Sequence, residues 1–294
     1  SKLAELLYTS FSTRGILGQT EMPEDMIPKG IEKGTLEHIL FITLSVSLDY
    51  QRDAPALWAS SRRTFEDPAT RYLFDPESLH EHSLEKIVED MKRYKLSKKP
   101  QRDAYIWRTV GDSFYSKWAG DPRKFLQDCN WNSTIILDRL KKERHLNNNK
   151  HAQDFPNLRG SKIGPLWLRM LRDNAGISNL AQLEQVPIPV DIHVARATLA
   201  TGIVKGTGVI GFNELFEHIR EAWSESVKYL KIKNRPMIAL DIDEPLWNLS
   251  KYGCTKRDEI TDCCPMQSRC EARDFCVKGK IKIHNNSGYV ELGT

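Results

Sequence analysis

The chain has 294 residues, 40% hydrophobic and 28% charged, with a net charge of +4, the balance of a soluble globular protein with room for one large domain or two interlocked ones. Its 17 Gly and 14 Pro are too few for a collagen-like or low-complexity chain, and its longest nearly apolar run, residues 39–48, is about half the ~20 residues that a membrane-spanning helix requires. No basic and apolar leader ending in small residues opens the sequence at Ser1, so a cytosolic protein is expected. In chain order, residues 36–48 suit a helix buried on most sides, and residues 52–69 read as a loop. Leu84, Ile87, Val88 and Met91 fall at i, i+3, i+4 and i+7 behind a capping Ser83, which predicts a helix. Residues 101–118 and 161–171 also read as helices, with a loop at 147–157 between them. After a Gly-rich loop at 202–211, Phe212, Leu215, Phe216, Ile219, Trp223, Val227 and Leu230 form a long helical core stripe. The tail KIKIHNNSGYVEL alternates around Asn-Asn-Ser-Gly and suits one small hairpin. The class expected is all-α, with a metal-bearing C-terminal module.

Charge is unevenly spread. Residues 92–102 hold six cations (Lys92, Arg93, Lys95, Lys98, Lys99 and Arg102) and no carboxylate, and residues 139–172 hold nine cations against Glu143 and Asp154. One such run is an ordinary solvated face; two of them flanking a candidate site attract a polyanion and release its counterions on binding. Five of the six cysteines lie between Cys254 and Cys276, in CTKRDEITDCCPMQSRCEARDFC, while Cys129 reads as a buried small hydrophobe. A cytosolic chain does not build a local disulfide knot, so clustered thiols point to a metal. Thiolates without a His pair suit an iron–sulfur centre or a four-Cys zinc site. Adjacent side chains seldom reach one compact centre together, so Cys263 is read as the spare. The preferred ligand set is Cys254, Cys264, Cys270 and Cys276, holding a [4Fe–4S] cluster, with zinc the alternative.

Two further segments carry chemistry. In VPIPVDIHVARATLATGIV, residues 186–204, Pro187 and Pro189 force an extended approach. Asp191 then stands at a helix N-terminus, where its oxygens cap free N–H groups and face a ligand; the bland reading is an ordinary N-cap, and His193 reads as a structural histidine. In FPNLRGSKIGPLWLRML, residues 155–171, Pro, Asn and Gly build a tight turn and Lys162 opens the next helix. Backbone N–H groups of such a turn can hold a phosphate, and a desolvated Lys there is either a phosphate clamp or an amine nucleophile.

Together these segments resemble the helix-hairpin-helix DNA glycosylase superfamily. CPMQSRC, Cys264 to Cys270, is similar to the cysteine cluster of its endonuclease III and adenine-mismatch branch, and PIPVDIHVARA resembles the archaeal 8-oxoguanine DNA glycosylases. The resemblance implies a two-lobed helical fold: a barrel domain at residues 36–188, a second domain built from 1–35 with 189–276 that carries the cysteine cluster, and a tail or hairpin at 277–294. It implies base-excision repair of double-stranded DNA holding a damaged or mismatched base, oxidised guanine being the first expectation, by a monomer with no membrane attachment, in the cytoplasm or nucleoid of a prokaryotic or archaeal cell. Asp191 would stabilise charge at the sugar, and Lys162 would attack C1′ and leave a Schiff base that permits β-elimination. Gln51, in SLDYQRD, would fill the gap left by the flipped base, and Arg159, Gly160, Ser161 and Gly164 would meet DNA. The sequence departs from the family hairpin Leu-Pro-Gly-Val-Gly, and counted without a gap Ser161 rather than Lys162 takes the Lys position. A monofunctional mismatch or deaminated-base glycosylase, a non-catalytic DNA-binding module of the same fold, and a zinc-stapled RNA-binding helical protein are the alternatives.

Overall fold

The most apolar stretch of the sequence becomes its most buried helix. In the computed structural model, which describes residues 1–147, 150–258, 264–277 and 279–293, the helix Leu36–Val46 is capped by Thr35, whose hydroxyl accepts from the His38 amide, and every residue from His38 to Val46 is buried. Polar groups inside that helix find partners: Trp167 Nε1 donates to Thr43 Oγ1 at 2.9 Å, and Ser47 Oγ donates to the Leu44 carbonyl. Twelve α-helices and seven short strands occur among the described residues. They fall into two units, one of residues 23–185 and one formed by residues 1–22 with 186–294.

In the 23–185 unit, helix starts follow ordinary capping chemistry. Asp53, Asp75, Ser83, Asp121 and Asn132 each accept a backbone amide of the first turn, a contribution of about 1 kcal/mol per cap. Residues 52–69 are not the expected loop; Ala54–Glu66 is a helix with Pro55 in its first turn. Its inward face mixes Leu57, Trp58 and Phe65 with buried Ser60, Ser61 and Thr64, so small polar residues interrupt the apolar stripe that marks a helix in sequence. The core is aromatic. Phe41 meets Trp58, Phe65 and Phe74 with ring centroids 5.5–5.8 Å apart, and Phe155 packs 5.2 Å from Phe114 and 5.5 Å from Phe125. Glu24 and Arg169 form an ion pair, 3% and 1% exposed, that joins Pro23–Asp25 to the helix Ile163–Asp173. Between the helices Ser133–Lys142 and Ile163–Asp173, where a loop was expected, strands Arg144–Asn147 and Lys150–Gln153 pair antiparallel.

In the other unit, the helices Lys2–Arg14, Ile192–Ala200, Phe212–Val227 and Asp243–Asn248 share a core of Leu3, Leu7, Val194, Ala197, Leu215, Ile219, Trp223 and Leu246. Trp223 Nε1 donates to Thr198 Oγ1 at 2.8 Å, so the largest side chain of the stripe is also polar-satisfied. The tail forms the hairpin Ile281–His284 with Tyr289–Leu292, turning through Gly288 at φ 73°. Gly208–Gly211, inside the expected Gly-rich loop, adds a third antiparallel strand on Tyr289–Leu292. The class is therefore mostly helical, with three small sheets among the described residues, rather than purely helical. No helix among the described residues is long and apolar enough to cross a membrane.

Candidate DNA-binding and thiol sites

The turn ahead of the helix Ile163–Asp173 is built around two buried apolar anchors, Phe155 and Leu158. The Arg159 amide donates to the Phe155 carbonyl at 3.1 Å, the Gly160 amide to Asn157 at 2.9 Å and the Gly164 amide to Gly160 at 3.0 Å. Those last two amides are bonded inside the turn. Gly164 serves close packing: a Cβ there would stand 2.8 Å from Leu137 Cδ2 and 3.0 Å from the Leu158 carbonyl. Arg159 and Ser161 are exposed on the same turn.

Two side chains tie this turn to the C-terminal end of the buried helix Leu36–Val46. Asn157 Nδ2 donates to the Ser47 carbonyl at 2.8 Å. Lys162 Nζ donates to the Asp49 carbonyl at 3.0 Å and lies 3.5 Å from Asp49 Oδ2. The Asp49 carboxylate is 7% exposed and the Lys162 side chain 23%. Two residues beyond Asp49, Gln51 is exposed and held at φ 53°, a left-handed conformation that costs a non-glycine residue roughly 1 kcal/mol or more. Tyr50 beside it is 48% exposed, with the Arg102 guanidinium 5.7 Å from its ring. Arg52 folds back and donates to the Leu96 and Lys95 carbonyls. The first basic run is thus stitched to the loop that carries Gln51, and that loop to Lys162.

Asp191 stands where the sequence places it. Val186, Ile188, Pro189 and Val190 are buried in extended chain, and Asp191 ends that run as the N-cap of Ile192–Ala200. Its Oδ1 accepts from the His193 amide at 2.8 Å and the Val194 amide at 2.9 Å. His193 packs structurally, with Nδ1 3.2 Å from Ser250 Oγ and its ring centroid 5.4 Å from that of Trp247.

In the same unit, Cys254, Cys264, Cys270 and Cys276 all line one small pocket, partly open to solvent, walled by Ala200, Leu249 and Gly253. A π-helical turn at Leu249–Gly253 leads into Cys254, a widening that recurs at functional sites. Each later interval folds through a 3₁₀ turn, Gln267–Arg269 and Arg273–Phe275. All four thiols are free of disulfides. Burial first, then the neighbouring thiols of Cys270, Cys276 and Cys264, push the Cys254 thiol up to about 12, and burial pushes Cys270 up to about 11. Arg257 closes one side, with Nη1 3.6 Å from Cys276 Sγ and Nη2 donating to the Val277 and Gly279 carbonyls. Among the described residues, no three His, Cys, Asp or Glu side chains gather around one metal-ion position. Cys263, read as the spare thiol, lies outside the described residues.

No family model and no curated protein sequence matches the chain. Among solved structures, endonuclease III trapped as a covalent intermediate with DNA, in an estranged-adenine complex, matches with a TM-score of 0.52 and 13% identity, over 92% of this chain and 94% of that one. The chain has the fold of endonuclease III. The turn, Lys162 and Gln51 belong to one unit, whereas Asp191 and the four thiols belong to the other. Sequence reading missed Asp49, Asn157 and Arg257. A carboxylate preceding an exposed Tyr-Gln pair was the one local signal for Asp49; the contacts of Asn157 and Arg257 have no short-range signature.

Proposed function

We propose that this chain is a DNA glycosylase of base-excision repair, acting on duplex DNA with a damaged or mismatched base. The observation that carries the reading is the endonuclease III-like fold across more than nine tenths of both chains. The residue chemistry agrees with it. Arg159 and Ser161 lie on an exposed turn beside a basic run, and Gln51 is held proud of the surface next to it. Once the nucleotide is flipped out of the stack, Asp191 stabilises the positive charge that develops on the sugar. Lys162, as the neutral amine, forms a bond from Nζ to C1′ while the base leaves with the pair of the glycosidic bond and takes up a proton. Nζ gives up one proton, and its electron pair then forms the C1′=N bond of a protonated Schiff base as the C1′–O4′ bond breaks with its pair and O4′ takes up a proton; β-elimination from that Schiff base cuts the strand.

The thiol cavity fits a [4Fe–4S] cluster held by Cys254, Cys264, Cys270 and Cys276. A single zinc holds sulfur at about 2.3 Å, which draws four thiolates to within roughly 4 Å of one another, whereas a cubane spreads them over four irons. Four free thiols lining one pocket supply the donor set for such a cluster, with zinc the alternative. The cluster, when bound, supplies a rigid and charged scaffold for its loop; no redox step is required of it. The expected partner is double-stranded DNA, the expected state a monomer, and the expected place the nucleoid.

A second reading has its own observation. Lys162 Nζ donates to the Asp49 carbonyl and lies 3.5 Å from its carboxylate, an engagement that suits a monofunctional enzyme in which Asp191 guides a water. The test is a base-release screen over duplexes with oxidised, deaminated, alkylated and mismatched bases, run with and without borohydride. Base release with trapping supports the lyase, release without trapping supports the monofunctional enzyme, and no release from any substrate refutes both.

A further inference from the structure

Tyr50 has no task in the reading above. It stands between Asp49, whose carbonyl holds Lys162, and Gln51 in its left-handed conformation. The chain leading to it is closed by three bonds, from the Leu48, Asp49 and Tyr50 amides to the Ser45, Val46 and Leu48 carbonyls. The backbone is therefore fixed where it carries the phenol, and the residue is 48% exposed. An exposed tyrosine alone means little. This one has a cation on its ring: the Arg102 guanidinium lies 5.7 Å from the centroid, within cation–π range.

The surroundings are cationic. Arg102 belongs to the helix Pro100–Trp118, and the loop ahead of that helix carries Lys95, Lys98 and Lys99, all exposed. Arg52 ties this loop to that of Tyr50 by donating to the Lys95 and Leu96 carbonyls. The nearby carboxylates are engaged. Asp103 accepts from Ser97 Oγ and the Lys99 amide, Asp49 is buried beside Lys162, and Asp53 accepts from the Ala56 amide. An exposed ring set among cations suits a partner that carries planar rings on a chain of anions, the chemistry of a nucleic acid. Gln51 fixes the place. Consecutive Cα atoms lie about 3.8 Å apart, and successive bases of one strand about 3.4 Å apart. A side chain one position ahead of Gln51 therefore reaches the base next to the gap that Gln51 fills.

We propose that Tyr50 stacks on a base flanking that gap, with Arg102 behind its ring, and sets a preference for a purine there. A purine offers the larger face, and stacking strength is what gives such contacts their sequence preference. The proposal rests on the glycosylase reading. It is tested on the full chain, with its metal retained, by fluorescence anisotropy. The probes are an intact duplex and duplexes holding a tetrahydrofuran abasic site between purine or pyrimidine neighbours. Tyr50→Ala is expected to bind the abasic duplex roughly tenfold more weakly, to bind the intact duplex within twofold of the wild type, and to lose the purine preference. Tyr50→Phe keeps the ring and is expected to behave as the wild type. With 2-aminopurine beside the abasic site, the wild type and Tyr50→Phe are expected to quench its fluorescence and Tyr50→Ala is not. Wild-type affinity and quenching in Tyr50→Ala overturn the stack and leave the glycosylase reading standing. Equal loss on abasic and intact duplexes makes the ring a general surface contact and also overturns it. A wild type without purine preference overturns the specificity. A wild type that binds neither duplex overturns the glycosylase reading and the proposal with it. Circular dichroism of each variant checks that the fold is retained.

Discussion

Replacing Asp191 separates its two roles, because Asn and Ala remove different things. Oδ1 accepts two amides of the first turn, at 2.8 and 2.9 Å. Asn and Asp are equally good N-caps, so Asp191→Asn keeps both bonds and changes the charge alone, whereas Asp191→Ala loses the cap at about 1 kcal/mol. In urea unfolding, Asp191→Asn is expected within a few tenths of a kcal/mol of the wild type, and Asp191→Ala about 1 kcal/mol below it. Single-turnover base release follows the charge and not the cap. Both variants are expected to fall by a factor on the order of 10² to 10³, the scale of losing one pre-organised electrostatic stabiliser, while duplex affinity changes little. Near-normal release by Asp191→Asn, with Asp191→Ala impaired only as far as it is unfolded, would refute the assignment and leave Asp191 an ordinary cap.

Other outcomes follow from the same structure. Lys162→Gln is expected to abolish borohydride trapping and strand cleavage while keeping DNA affinity within roughly tenfold; trapping that persists moves the nucleophile elsewhere. Metal analysis of anaerobically purified protein is expected to give about four irons per chain with absorbance near 400 nm, and Cys270→Ser to lose far more iron than Cys263→Ser; stoichiometric zinc with no visible absorbance reverses the assignment. His38, buried with Nδ1 accepting from the Gly34 amide, is lowered to about 4 by burial first and then by Lys33. A histidine kept neutral in the folded state adds stability above its unfolded value near 6.5 that is lost as pH falls towards 4. Urea unfolding at pH 5 against pH 7 should therefore show a loss of roughly 2 kcal/mol, absent in His38→Gln.

Legibility tracked how far each feature depends on neighbours in sequence. Leu36–Val46 is readable because it is apolar on every side, and Asp191 because two prolines force the chain to arrive extended at a helix start. The common cavity of Cys254, Cys264, Cys270 and Cys276 follows spacing that a short loop can close. The Ala54–Glu66 helix is illegible because Ser60, Ser61 and Thr64 occupy core positions, where size matters more than polarity. Asp49 could not be paired with Lys162 from sequence, since the two are 113 positions apart and only packing brings them together. The short strands at 144–153 and 208–211 fail for a related reason: a strand of four residues has too few alternations to register, and the second is created by its partner in the tail.

The division of the chain also bears on how it is made. The 23–185 unit is continuous, whereas the other is assembled from the first 22 residues and the segment from Val186 onward. At a synthesis rate of about 5–20 residues per second, the helix Lys2–Arg14 waits on the order of ten seconds or more for the segments Ala239–Ile242 and Asp243–Asn248 that it packs against. During that interval its buried face, Leu3, Ala4 and Leu7, is uncovered, and the middle unit is free to fold first on the ribosome. A nascent chain arrested before Cys254 is then expected to resist protease at 23–185 and be cut readily at 1–22.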